Sequence, residues 1–108
     1  MVKINWKLYN KGKKIIDLKN IECEYNKNIL TIKLNDGTNI IDLNKKKFIR
    51  KNENCDMTID FINKIVKFKL DDNRVLDFDL NCNMDITNEK IIIKYKIDEE
   101  MQIIVERI

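Results

Sequence analysis

Apolar and polar residues alternate with a period of two along almost the whole chain. Residues 55–61 show it most cleanly: Cys55, Met57, Ile59 and Phe61 on one parity, Asp56, Thr58 and Asp60 on the other. The longest run is 75–86, where Leu76, Phe78, Leu80, Cys82, Met84 and Ile86 alternate with Asp77, Asp79, Asn81, Asn83 and Asp85. Such alternation builds strands with one buried face, because successive side chains of a strand point to opposite sides. No window of ten or more residues carries the helical period. Ten segments read as strands: 2–9, 13–25, 28–34, 39–43, 47–51, 55–61, 65–70, 75–86, 90–97 and 101–107. In 13–25 the parity slips between Leu18 and Ile21, which predicts a β-bulge near Lys19–Asn20.

Short polar breaks separate the segments. Asn35-Asp36-Gly37-Thr38 is the strongest hairpin signal, because Gly37 can take the positive φ of a tight turn. Short connections make successive strands antiparallel neighbours. Charge suggests the registers. Leu70 opposite Leu76 sets Lys69 against Asp77 and Lys67 against Asp79, and Phe61 opposite Val66 sets Lys67 against Asp60. Ile97 opposite Met101 brings Tyr95 to Ile103 and Ile93 to Val105. The expected fold is a single all-β domain over residues 1–108 with no linker or internal repeat. It is an antiparallel meander of eight to ten strands closing into a lipocalin-like barrel, since closure removes the edges that the Ile-rich first and last strands would expose.

Composition excludes several chemistries. The chain contains no His and no Ser, so it has no Ser-His-Asp triad, Cys-His pair or His-ligated metal. Glycine occurs only at 12 and 37, which excludes Gly-rich phosphate loops. The chain reads as no enzyme, with no cofactor and no metal. No apolar run exceeds three residues, so no transmembrane helix is expected, and the opening residues carry no secretory core. Cys23, Cys55 and Cys82 lie far apart without a CxxC spacing, and read as reduced core residues of a cytoplasmic protein. Ile, Lys and Asn, the residues of AT-rich codons, supply about half the chain, so its net charge of +3 says little about a partner. The halves differ, with +7 over residues 1–54 and −4 over 55–108.

From residue 46 onward the pattern resembles a known family. Lys46–Phe61, with its anchors Arg50, Met57 and Phe61, resembles a strand pair of the YwiB-like family of uncharacterised bacterial proteins, and the strand 75–86 followed by Ile91–Ile97 with Tyr95 is similar to that family's closing strands. That resemblance implies a calycin-type β-barrel and no activity. It also implies a structural pair, since calycin barrels place a Trp of the first strand against an Arg of the last; Trp6 and Arg107 are the candidates here.

Arg50 shares parity with Phe48, which leaves two readings: an Arg at a strand end that reaches solvent, the simpler one, or an inward Arg that needs a carboxylate, carbonyls or a ligand anion. On the second, Arg50, Phe48 and Tyr95 are the candidate ligand-binding residues, at a shallow site near one end of a mostly filled barrel. The expected function is a non-catalytic binding module for a small apolar ligand or a protein partner. The alternative is an RNA- or acidic-partner-binding strand using Lys45, Lys46, Lys47 and Lys51, which reads more readily as a solvated strand. Nucleic acid is not the expected partner, and no membrane contact is expected. Outward Ile65 and Val75, or Ile92 and Ile104, would mark a homodimer interface if they merged into a patch.

Overall fold

The computed structural model describes the whole chain, residues 1–108. Every regular element is a strand: β1 (Val2–Asn10), β2 (Lys13–Asn26), β3 (Ile29–Leu34), β4 (Gly37–Asp42), β5 (Lys47–Lys51), β6 (Cys55–Asp60), β7 (Ile65–Leu70), β8 (Val75–Asp79), β9 (Asn81–Ile86), β10 (Lys90–Lys96) and β11 (Glu100–Arg107). Neighbours pair antiparallel in the order β8-β7-β6-β5-β4-β3-β2-β1-β11-β10-β9. The fold class is the all-β antiparallel meander that the period of two dictates. β8 and β9, the two ends of that order, follow one another in the chain with only Leu80 between them. The expected segments become eleven strands because 75–86 breaks at the buried Leu80, where the chain leaves the partner β7 for the partner β10.

The chain divides into two compact units, Met1–Cys23 with Leu80–Ile108, and Glu24–Asp79. In the first unit β1 is central. Ile4, Trp6, Ile93, Ile103 and Val105 are almost wholly buried in its core. The bulge lies where the parity slips: Ile4 pairs Ile21 and Trp6 pairs Leu18, so Lys19 and Asn20 together oppose Asn5. Asn20 takes a positive φ of 57° and donates its N–H to Asn5 Oδ1 at 3.1 Å. On the outer face Lys7 Nζ lies 2.7 Å from Glu106 Oε1. The β10–β11 register differs from expectation by two residues. Tyr95, not Ile97, faces Met101, and Ile93 faces Ile103. This register sets Lys96 against Glu100 and Lys90 against Glu106, opposite charges that a slip by two would separate.

The second unit is a repeated hairpin, contrary to the expected absence of repeats. Asn28, Lys46 and Lys64, each eighteen residues after the last, take positive φ values of 65°, 52° and 59°. Leu43 N–H donates to Asn28 C=O at 2.9 Å, and eighteen residues on Phe61 N–H donates to Lys46 C=O at 3.0 Å. The Lys46 and Lys64 loops each open on an aspartate that accepts loop N–H groups: Asp42 from Asn44 and Lys45, Asp60 from Ile62 and Asn63. Because Asp60 is committed to its loop, the β6–β7 register is Asp60 against Ile65 and Ile59 against Val66, so Lys67 faces Thr58 rather than Asp60. In β7–β8, Leu76 faces Phe68 rather than Leu70, and Lys67 faces Asp77 rather than Asp79. Val66, Phe48, Ile32, Ile41 and Ile59 form the core of this unit.

Candidate functional site

The inward arginine finds its partners on its own unit. Arg50 on β5 lies opposite Asn39 on β4, and its Nε donates to Asn39 Oδ1 at 3.1 Å. Nε also lies 3.2 Å from Asp36 Oδ2, in the loop before β4, and Asn39 Nδ2 donates to Asp36 Oδ1 at 3.2 Å. The guanidinium carbon sits 5.5 Å from the centre of the Phe48 ring, within cation–π range. Asn39 is wholly buried. A guanidinium among apolar neighbours needs this kind of internal compensation. Asn39 and Asp36 were not among the sequence candidates, although Asn39 shares the inward parity of Ile41.

Phe48 is fully buried, and Tyr95 belongs to the other unit, where it is also buried. There Tyr95 lines an open groove of about 440 Å³ together with Tyr9, Lys94, Lys96 and Glu100. Trp6 faces Val105 and Arg107 faces Ile4, so Trp6 and Arg107 lie on a diagonal of adjacent strands, a spacing long side chains can bridge. Trp6 is buried and Arg107 exposed.

The basic strand is flanked by carboxylates. Lys45 and Lys46 lie exposed on the loop before β5. Lys47 pairs in register with Asp42 on one side and Asp60 on the other, and Lys51 with Thr38 and Asp56. Each lysine within the strand thus has an acidic neighbour, and no unbroken cationic face arises. Ile65 and Val75 do not meet, since Ile65 faces Asp79 and Val75 faces Lys69. Ile92 and Ile104 do face each other, and both are half-buried.

β8 is different from every other strand. All five of its residues are exposed, including Val75 at 57 %, Leu76 at 45 % and Phe78 at 54 %. It is held by one neighbour, β7, and ends the strand order. Its hairpin is well specified. Leu70 N–H donates to Arg74 C=O at 2.9 Å, Asn73 takes φ 68°, and Asp72 accepts both the Arg74 N–H at 3.1 Å and Arg74 Nε at 2.6 Å. Phe78 packs edge-on against Phe68, ring centres 6.2 Å apart. Val75, Asp77 and Asp79 share one face, and Leu76 and Phe78 the other. No Pro, Lys or bulge guards this edge, and its protection rests on Asp77 and Asp79 alone. The alternation of 75–79 was visible in the sequence, but it reads the same for a covered strand.

The three cysteines are free, Cys23 and Cys82 buried and Cys55 half-buried. Burial pushes the Cys23 thiol up, away from the thiolate form a nucleophile needs. No group of three or more acidic or cysteine side chains is placed to hold a metal ion. No helix is long and apolar enough to cross a membrane. Compared with protein-family models, with curated proteins and with solved structures, the chain matches none.

Proposed function

We propose that this protein is a non-catalytic binding module whose partner is a protein segment that adds a strand to the free edge of β8. The observation that carries the reading is the strand itself: five exposed residues, three of them large and apolar, on an edge with unpaired backbone groups. An extended segment gains main-chain hydrogen bonds at such an edge, and its alternate side chains give selectivity. Arg50 supports a protein-partner reading over a buried-ligand one, because its charge is already met by Asp36 and Asn39. A cytoplasmic location and kinship with the YwiB-like family belong to the same proposal. They rest on three free cysteines and on the strand pattern around Arg50, Met57, Phe61 and Tyr95.

Proline separates the two edges of β8. Residues 75, 77 and 79 direct their backbone groups away from β7, so Asp77→Pro removes an outward N–H only, a substitution edge strands tolerate. The variant is expected to melt within about 4 °C of the native chain, the shift of roughly 1 kcal/mol, and to lose binding of extended hexapeptides read as amide shifts at 75–79. Undiminished peptide binding by Asp77→Pro would overturn the reading.

A further inference from the structure

We infer that the partner strand is cationic at alternate positions and apolar between them, with Lys or Arg opposite Asp77 and Asp79 and apolar side chains beside Leu76 and Phe78. This rests on the strand-docking reading of β8 and adds the chemistry of its occupant.

Ladder geometry supplies the register. Residues of an antiparallel strand turn their N–H and C=O alternately to one neighbour and the other. Leu70 N–H bonds Arg74 C=O, so Arg74, Leu76 and Phe78 turn towards β7. Val75, Asp77 and Asp79 then turn outward, and an added strand bonds at these three residues. The side chains it meets there are two carboxylates on one face. Opposite charges directly across a sheet attract and like charges repel.

The other edge of β8 already shows what such a strand looks like. β7 reads Ile65-Val66-Lys67-Phe68-Lys69-Leu70 and sets Lys67 against Asp77, Phe68 against Leu76 and Val66 against Phe78. A segment of the same pattern would present matching side chains from the free side. A second copy of this chain fits badly. Two β8 strands paired antiparallel about Asp77 set carboxylate against carboxylate at their centre.

The test uses the labelled full chain and three capped hexapeptides. The first has the sequence of residues 65–70; the others carry Thr or Glu at both Lys positions. The cationic peptide is expected to shift the amides of 75–79. It should bind at least about fivefold tighter than the Thr peptide and at least about tenfold tighter than the Glu peptide. That preference should shrink as salt rises from about 0.05 to 0.5 M. Asp77→Asn combined with Asp79→Asn should bring the three affinities together. Equal affinities for the native chain would overturn the cationic partner while leaving strand docking in place. Absence of shifts at 75–79 with every peptide would overturn both. Self-association that protects 75–79 and excludes the peptides would make a second copy the occupant and overturn the inference.

Discussion

Asn39 and Arg50 face each other across β4 and β5, and the buried amide oxygen of Asn39 receives the Nε hydrogen of Arg50 at 3.1 Å. Asn39 is the one wholly buried polar residue of the chain, and its Nδ2 reaches Asp36 as well. The three side chains therefore form one network. Asn39→Ala is expected to lower stability by about 1–3 kcal/mol, the penalty of leaving buried polar groups without partners. Combining it with Arg50→Ala should cost less than the sum of the two single changes, with a coupling of about 0.5–3 kcal/mol in urea unfolding. Additive effects would show that the network does not act as a unit.

Gly37 and Gly12 separate steric need from backbone preference. Gly37 has φ 129°, and a Cβ there would run into the Lys51 carbonyl oxygen, whereas Gly12 has φ 79° and open space around it. Gly37→Ala should destabilise the chain by at least about 2 kcal/mol, since backbone must move. Gly12→Ala should cost about 1–2 kcal/mol, the strain of a left-handed residue alone. Thermal unfolding of the two variants decides, and equal losses would contradict the close approach of β4 to Lys51.

Asp60 links acid sensitivity to the hairpin loop. The Asn63 N–H chiefly holds its carboxyl below the usual range, helped by the Asn63 amide, the Ile62 N–H and the Lys47 charge, against the opposing effect of burial. A group lowered in the folded state stabilises above its unfolded value, near pH ~4, and loses that contribution as pH falls through its folded value. Asp60→Asn should keep the Ile62 and Asn63 N–H bonds at Oδ1, lose the Asn63 Nδ2 bond, and flatten the loss of stability between pH ~4 and ~2. The flattening is partial, because Asp17 and Glu99 are also lowered, by Lys14 and Asn10 respectively. An unchanged slope would remove Asp60 from the acid transition.

Thiol accessibility should single out Cys55. Cys23 and Cys82 are buried, and burial keeps the Cys23 thiol protonated. One thiol of the native chain should react quickly with an aromatic disulfide reagent, and all three in denaturant. Rapid reaction surviving in Cys55→Val would contradict the burial of the other two.

Much of this fold was legible in the residues, and the exceptions have identifiable causes. The parity slip at Leu18–Ile21 located the bulge, because an extra residue must invert the alternation. Parity put Arg50 on the Phe48 face but favoured no inward turn over a strand end reaching solvent; the partners Asn39 and Asp36 decided it. Asn39 carried the same signal but was hidden by its polarity. Registers missed by two residues, as at Tyr95–Met101 and Ile59–Val66, because a slip by two keeps every side chain on its face. What decided them was loop chemistry such as the Asp60 cap. The eighteen-residue repeat lies in the φ angles of Asn28, Lys46 and Lys64, where the three residues share little beyond tolerance of the left-handed region. The exposure of Leu76 and Phe78 had no local signal, since alternation records which face a residue takes and not what covers it.

Amide hydrogen exchange along β8 tests the central claim most directly. Leu76 and Phe78 direct their N–H groups to β7, whereas those of Val75, Asp77 and Asp79 meet no partner in the chain. In the free protein the amides of 75, 77 and 79 should exchange fast and those of 76 and 78 more slowly. With the cationic hexapeptide bound, the outward three should slow by at least about tenfold, a protection of roughly 1.4 kcal/mol by local-opening arithmetic. Outward amides already slow in the free chain, or unchanged in the peptide-saturated one, would contradict strand addition at β8.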